Sequence, residues 1–200
     1  MYATPESRLD LLPAFFGAEA IYCPGTAEHS TRVGKICAAM SQALGLDSAD
    51  VEVMNWVGIL HDLGKLALPV EILRKPGTLT ELEWAEVKKH SVIGSELILA
   101  VSPQLRPLAE AIRAHHERWD GSGYPDGVDK LDIPLFGRIA AISDVFDAIT
   151  HQRGYRAGQL NDREGVEFVR QRANRDFDPE LVKVFLDLDR RGLLEASVPN

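Results

Sequence analysis

The sequence predicts an all-α protein, one compact unit of at least seven helices. Apolar residues recur at intervals of three and four along most of the chain, which is the period of an amphipathic helix. No stretch alternates at period two for long. A length of 200 residues with 45% hydrophobic and 26% charged residues is typical of one globular domain. Residues 1–25 are expected to form an N-terminal helix and lead-in, and residues 26–200 the main domain.

Composition excludes several classes of protein. A net charge of −8 argues against a DNA- or RNA-binding protein, which is normally basic. Cys23 and Cys37 do not make a disulfide framework, Cys37 is expected to be a small core residue, and a reducing cytoplasm is the expected compartment. The apolar run 11–22 contains Pro13 and Glu19 and is too short to cross a membrane. Without a basic segment before it, this run is not a signal peptide.

The first third of the chain predicts three helices. Residues 5–20 form the first, which Pro24 and Gly25 break. The second covers about 28–45, and His29 lies on its apolar side. The third continues its apolar stripe to His61, and Gly64 is expected to end it, since glycine commonly follows the last helical residue.

The middle of the chain predicts an extended connection over residues 69–77 and then a further helix. Thr80 and Glu83 have the spacing of a capping box, in which each residue satisfies a backbone N–H of the first turn. The helical pattern that they open continues towards Val101, with a break near His90.

Prolines and capping residues mark the remaining helices. Pro103 and Pro107 bracket the start of the helix that carries His115 and His116, and a glycine-rich loop follows it. Pro134 opens a helix to about Thr150. The last two helices begin near Asp162 and at the pair Asp178–Pro179, a capping residue followed by proline.

Seven polar residues fall on or beside the apolar faces of these helices. Taken singly, each histidine is more often a hydrogen-bonded core residue than a ligand. Together they would leave an apolar core with many unsatisfied polar groups unless they share a partner, and a metal ion suits imidazole and carboxylate. Two ions that share Asp62 account best for this number of ligands. The seven are His29, His61, Asp62, His90, His115, His116 and Asp144.

The order of the motifs resembles the HD-GYP branch of the HD phosphohydrolase superfamily over roughly residues 26–186. The resemblance rests on His61-Asp62 with Gly64-Lys65, on Leu73-Arg74-Lys75-Pro76-Gly77, on His115-His116-Glu117 before Asp120-Gly121-Ser122-Gly123-Tyr124-Pro125, on Asp144-Val145-Phe146-Asp147-Ala148 and on Arg153-Gly154-Tyr155-Arg156.

The resemblance implies an all-α enzyme that hydrolyses cyclic dinucleotides, chiefly cyclic di-GMP, at a cluster of metal ions. The same seven residues match the family's ligands, with Asp62 bridging two ions. Iron or manganese is expected, with zinc or nickel as alternatives. A hydroxide held between the ions is expected to attack the phosphodiester, which yields linear pGpG; whether a second cut then gives GMP stays open.

The substrate side is assigned from the resemblance alone. Lys65 matches a lysine that contacts the scissile phosphate or the metal-bound water; the alternative is a helix-terminal lysine that interacts with the helix dipole. Tyr124, Arg153 and Arg156 match positions that hold guanine or phosphate. Their alternatives are a loop aromatic packed on the core and two solvated arginines. Asp147 either orients a ligand histidine or has no role beyond the helix.

Departures from the family pattern affect the metal count and the substrate side. Relatives with three metals carry a glutamate at the position of Gly25, so two metals are expected. Lys130, His151 and Gly154 replace usual residues near the substrate. Three functions therefore stay open: a cyclic di-GMP phosphodiesterase, a hydrolase for another cyclic or linear dinucleotide, and a non-catalytic dinucleotide-binding or adaptor module. A regulatory or cyclase protein is an expected partner.

Overall fold

The computed structural model describes residues 9–23, 25–151 and 160–194. Within these ranges the chain is helical, and a single bridge between Ala173 and Phe177 is the only β-type pairing. This confirms the all-α prediction. The α-helices are α1 (Leu12–Tyr22), α2 (Thr26–Ala43), α3 (Ser48–Leu60), α4 (Val70–Leu73), α5 (Glu81–Lys88), α6 (His90–Val101), α7 (Arg106–Ala114), α8 (Leu135–Thr150), α9 (Asp162–Gln171) and α10 (Pro179–Arg190). Short 3₁₀ turns are Leu9–Leu11, Leu63–Ala67, Pro103–Leu105 and Lys130–Asp132.

The helix starts follow from local side-chain chemistry. The Thr80–Glu83 capping box forms as predicted, and the helical pattern that it opens does break between Lys88 and His90. Asp178 accepts a hydrogen bond from the Glu180 amide, with Pro179 in the first turn of α10. Each of these caps satisfies an N–H that the helix itself leaves without a partner.

Close backbone approaches hold the core helices together. A Cβ added to Gly58 would overlap the backbone of Gly34, so α3 and α2 touch where neither has a side chain. A Cβ on Gly137 would meet the Ala114 Cβ at 2.8 Å, which places α8 equally close to α7. The apolar faces of α2, α3, α7 and α8 meet in one core, where Cys37 is fully buried as predicted.

Two local predictions were wrong. The third helix ends at Leu60, and Gly64 lies in a 3₁₀ turn beyond it, where an added Cβ would collide with the His90 carbonyl. Gly64 is therefore required by the approach of α6 and not by a helix end. Residues 69–77 are not wholly extended, because α4 forms within them. None of the described helices combines the length and apolarity that a membrane span requires.

Candidate metal centre

The seven predicted ligand residues converge in the core from five helices, either within the helix or in the turn that follows it. His29 comes from α2, His61 and Asp62 from the turn after α3, His90 from the start of α6, His115 and His116 from the end of α7, and Asp144 from α8. Neighbouring imidazole rings stand with centroids 3.9–5.3 Å apart. The structure thus brings together side chains up to 115 positions apart in the sequence.

Three of the histidines are oriented by the main chain. The Nδ1 atoms of His61, His90 and His115 lie 2.8, 2.7 and 2.6 Å from the carbonyl oxygen three residues earlier. A carbonyl can only accept, so each Nδ1 carries the proton and donates it. In the neutral imidazoles of His90 and His115 the Nε2 lone pair is then free and points into the cluster, which is the arrangement of a metal-ligating histidine. Burial lowers the pKa of His61, but the charges of Asp62 and Asp144 outweigh it and raise that pKa to about 10.

Two of these lone pairs face each other. The Nε2 atoms of His90 and His115 lie 3.3 Å apart, and the His61 Nε2 is buried without a hydrogen-bond partner. Burial and the neighbouring imidazoles lower the pKa of His115 well below its usual range, and burial also lowers the pKa of His90. At neutral pH no shared proton therefore separates the facing nitrogens. A cation between them would remove the repulsion, so these residues fit a metal ion.

Asp62 lies between two groups of ligands. His90, His115 and His116 form one group whose ligand atoms are within 4.8 Å of one another, and His29, His61 and Asp62 form the other. The Asp62 Oδ1 is 3.5 Å from the His90 Nε2, while its Oδ2 is 3.5 Å from the His61 Nε2. One carboxylate thus offers one oxygen to each group, which is the geometry of a bridging ligand.

His29 is oriented by a side chain and not by the backbone. Its Nδ1 lies 2.7 Å from the fully buried Asp147, and its Nε2 lies 3.2 Å from the Asp144 Oδ1. Arg32 donates to both Asp147 oxygens, at 2.6 and 3.0 Å. Of the two roles open for Asp147, the geometry favours the orienting one. His151 is half-buried, with its Nδ1 3.3 Å from the Asp147 Oδ1.

Lys65 lies directly on the candidate bridging ligand. Its Nζ donates to the Asp62 Oδ2 at 2.5 Å. Burial raises the pKa of Asp62, but the charges of Lys65 and His61 outweigh it and hold that pKa well below the usual range. The carboxylate is therefore ionised, and the ammonium is its counter-ion in the metal-free chain.

The glycine-rich loop folds back over the end of α7 and carries Tyr124. Gly123 approaches the Glu117 backbone so closely that no side chain fits there. Glu117 accepts from the amides of Asp126 and Gly127, at 2.7 and 3.1 Å, which fixes the loop. The Tyr124 ring centroid then lies 4.7 Å from that of His116 at the partly open side of the cluster.

Two predicted substrate contacts, Arg153 and Arg156, lie outside the described residues.

The sequence analysis missed two other residues of the site. Arg32 is one helical turn from His29, a spacing that could have indicated it. Glu19, on α1, is 1% exposed, and neither carboxylate oxygen has a hydrogen-bond partner among the described residues. It is the one charged residue of an otherwise apolar helix, which is the signal that could have indicated it.

The fold and the cluster define a helical protein whose core contains histidine and aspartate side chains that could hold metal ions. The chain belongs to the HD domain family, whose model matches residues 19–181. The order of its motifs is that of the HD-GYP type.

Curated relatives align over most of the chain. A 3'3'-cGAMP-specific phosphodiesterase 2 of Vibrio cholerae is 38% identical over 88% of this chain and 34% of its own length. A cyclic di-GMP phosphodiesterase of Thermotoga maritima is 36% identical over 82% of this chain and 45% of its own length. The chain thus spans less than half of either protein.

A solved structure of a cyclic GMP-AMP specific phosphodiesterase from V. cholerae shares the fold. Its TM-score is 0.71 at 19% identity, over 98% of this chain and 51% of that one.

Proposed function

We propose that this chain is a metal-dependent phosphodiesterase that hydrolyses cyclic di-GMP to linear pGpG. The observation that carries the proposal is the pair of Nε2 lone pairs 3.3 Å apart on His90 and His115, each imposed by a backbone hydrogen bond at Nδ1. A buried contact of this kind has a physical reason when a cation binds there. The names of the aligned relatives supply the substrate class.

The proposed centre holds two divalent ions, iron or manganese, with the seven predicted residues as ligands. The mixture of imidazole and carboxylate suits these metals and does not exclude zinc or nickel by chemistry. Asp62 is assigned as the bridge because its two oxygens face the two groups. Metal ions bound in this way lower the pKa of water and offset charge on a phosphodiester.

The remaining assignments concern the substrate. Lys65 adds a positive charge at the partly exposed side of the cluster and is assigned to the scissile phosphate. Tyr124 offers its ring face to a guanine. Arg153 and Arg156 are assigned to phosphate or guanine from the family pattern. The division at residue 25 and a regulatory or cyclase partner stay predictions.

The test is an anaerobic assay with Mn(II) or Fe(II), in which products from cyclic di-GMP are separated by chromatography. Asp62→Asn should abolish turnover, whereas the matched control Asp189→Asn, an exposed aspartate on α10, should not. Metal binding and dinucleotide binding without turnover would instead support the adaptor function. If the protein neither binds nor hydrolyses cyclic di-GMP, the proposal is refuted for this substrate.

A second candidate substrate has its own support. The relative that aligns over 88% of this chain is named as specific for 3'3'-cGAMP. The assay therefore includes 3'3'-cGAMP beside cyclic di-GMP, and the ratio of the two kcat/KM values decides between them.

A further inference from the structure

Glu19 is a buried carboxylate without a partner close to the candidate metal centre. It is 1% exposed, and neither oxygen accepts a hydrogen bond from any described residue. Buried carboxylates are normally paired or bound to a cation, because burial disfavours their charged form. Here burial, together with the charge of Asp62, raises the pKa of Glu19 to about 7. Such a group calls for a partner that the described residues do not supply in this arrangement.

Lys65 is a cation that could become the partner of Glu19. Helix α1 packs against the turn Leu63–Ala67 that carries Lys65, and the Tyr22 hydroxyl donates to the Leu68 carbonyl at 2.7 Å. The charges of His61 and then Lys65 lower the pKa of Glu19, and Glu19 in turn raises the pKa of Lys65. His61 already faces Asp62 and Asp144, which leaves Lys65 as the candidate partner.

Metal binding at Asp62 would remove the present partner of Lys65. The ammonium lies 2.5 Å from the Asp62 Oδ2, the oxygen that faces the His29 and His61 group. A divalent ion on that oxygen and an ammonium at this distance would repel each other. Asp144 also acts on Lys65, but its Oδ1 already faces His29 and His61. Glu19 is the carboxylate with both oxygens free.

We propose that Glu19 is a positioning residue that accepts Lys65 when a metal ion occupies Asp62, and so keeps the ammonium beside the centre. The inference rests on the proposed metal centre and assigns no new ligand. Glu19 lowers the repulsion that Lys65 would otherwise exert on the incoming ion. In its absence Lys65 stays on Asp62 and competes with the metal.

The experiment is a double-mutant cycle on Mn(II) affinity, measured by competition with a fluorescent chelator. The variants are Glu19→Gln, Lys65→Met and the double variant, with Glu28→Gln as the matched control, since Glu28 is exposed beside His29. Glu19→Gln should weaken Mn(II) binding by about tenfold, the lower end for residues that support a metal ligand. Glu28→Gln should leave the affinity unchanged, and in the Lys65→Met background the effect of Glu19→Gln should disappear.

Three results would overturn the inference. An equal effect of Glu19→Gln with and without Lys65 would mean that Glu19 acts on the ions or on the fold directly. A loss of one bound ion per chain in Glu19→Gln, measured by elemental analysis, would make Glu19 a ligand instead. Absence of Mn(II) binding by the wild-type chain would refute the metal centre itself, and the transfer of Lys65 with it. Melting of the metal-free variants shows that each one folds.

Discussion

Asp147 offers the sharpest test of how the centre is built. Its carboxylate is fully buried and accepts three N–H donors, one from His29 and two from Arg32. Asparagine has the same shape but only one acceptor oxygen for these donors, and it lacks the charge that balances Arg32. We therefore expect Asp147→Asn to lower both the stability and the metal affinity.

The magnitude follows from the burial of the pair. Removing one partner of a buried ion pair costs about 3–5 kcal/mol, and because the Arg32 side chain is 14% exposed we expect the lower end, about 3 kcal/mol. In a chain of this length that corresponds to a fall in Tm of about 6–12 °C. Loss of the group that orients His29 should weaken Mn(II) binding by about 10–100-fold.

The assay combines thermal unfolding of the metal-free protein, followed by circular dichroism, with chelator competition for Mn(II). The control Asp189→Asn removes one exposed carboxylate and should change neither quantity. If Asp147→Asn melts lower but binds Mn(II) as tightly as the wild type, then Asp147 supports the fold alone and the orienting role is refuted.

Three further predictions concern other parts of the structure. The pKa of Glu19 is about 7 in the fold and 4.5 in its absence, so its contribution is full below 4.5 and is lost as the pH rises through 7. Without added metal, the free energy of unfolding of Glu19→Gln should therefore exceed that of the wild type by about 3 kcal/mol at pH 8, and by clearly less at pH 5. Urea unfolding at the two pH values measures this, and a difference that does not change with pH would contradict the prediction. Gly58→Ala should cost about 1–3 kcal/mol, since its Cβ overlaps the Gly34 backbone. Gly17→Ala, with nothing near its Cβ, is the control in the same unfolding experiment, and equal stabilities would refute the close approach. Tyr124→Ala should raise the KM for the dinucleotide about tenfold or more through lost stacking, while Tyr124→Phe keeps it; equal effects would implicate the hydroxyl instead.

The sequence predicts most of the helices because their signals are local. The Thr80–Glu83 capping box and the Asp178–Pro179 start act within one helical turn, so no knowledge of the fold is needed to read them. Gly64 is the contrary case. Its reason is the approach of the His90 carbonyl, 26 positions away, which no local pattern contains.

The candidate site likewise has one part that the sequence predicts and another part that it does not. The seven ligand positions could be picked out because polar residues stand out on apolar faces. The partners of those residues could not, since the reach of Arg32 to Asp147 depends on how α2 meets α8. In the sequence Glu19 argues against a membrane span, and as a lone charge in an apolar helix it also indicates a buried ionic partner.

The main-chain hydrogen bonds of three histidines have a consequence for how the centre tolerates mutation. His61, His90 and His115 are oriented by the carbonyls of Gly58, Val87 and Ile112. A side-chain substitution at Val87 or Ile112 leaves the acceptor in place, whereas Gly58 has no room for a Cβ beside Gly34. His29 depends on Asp147, whose acceptor a single codon change removes. In related chains that are no longer under selection for activity, random substitutions should therefore abolish metal binding first on the His29 side of the centre. A half-centre of His90, His115 and His116 would outlast it.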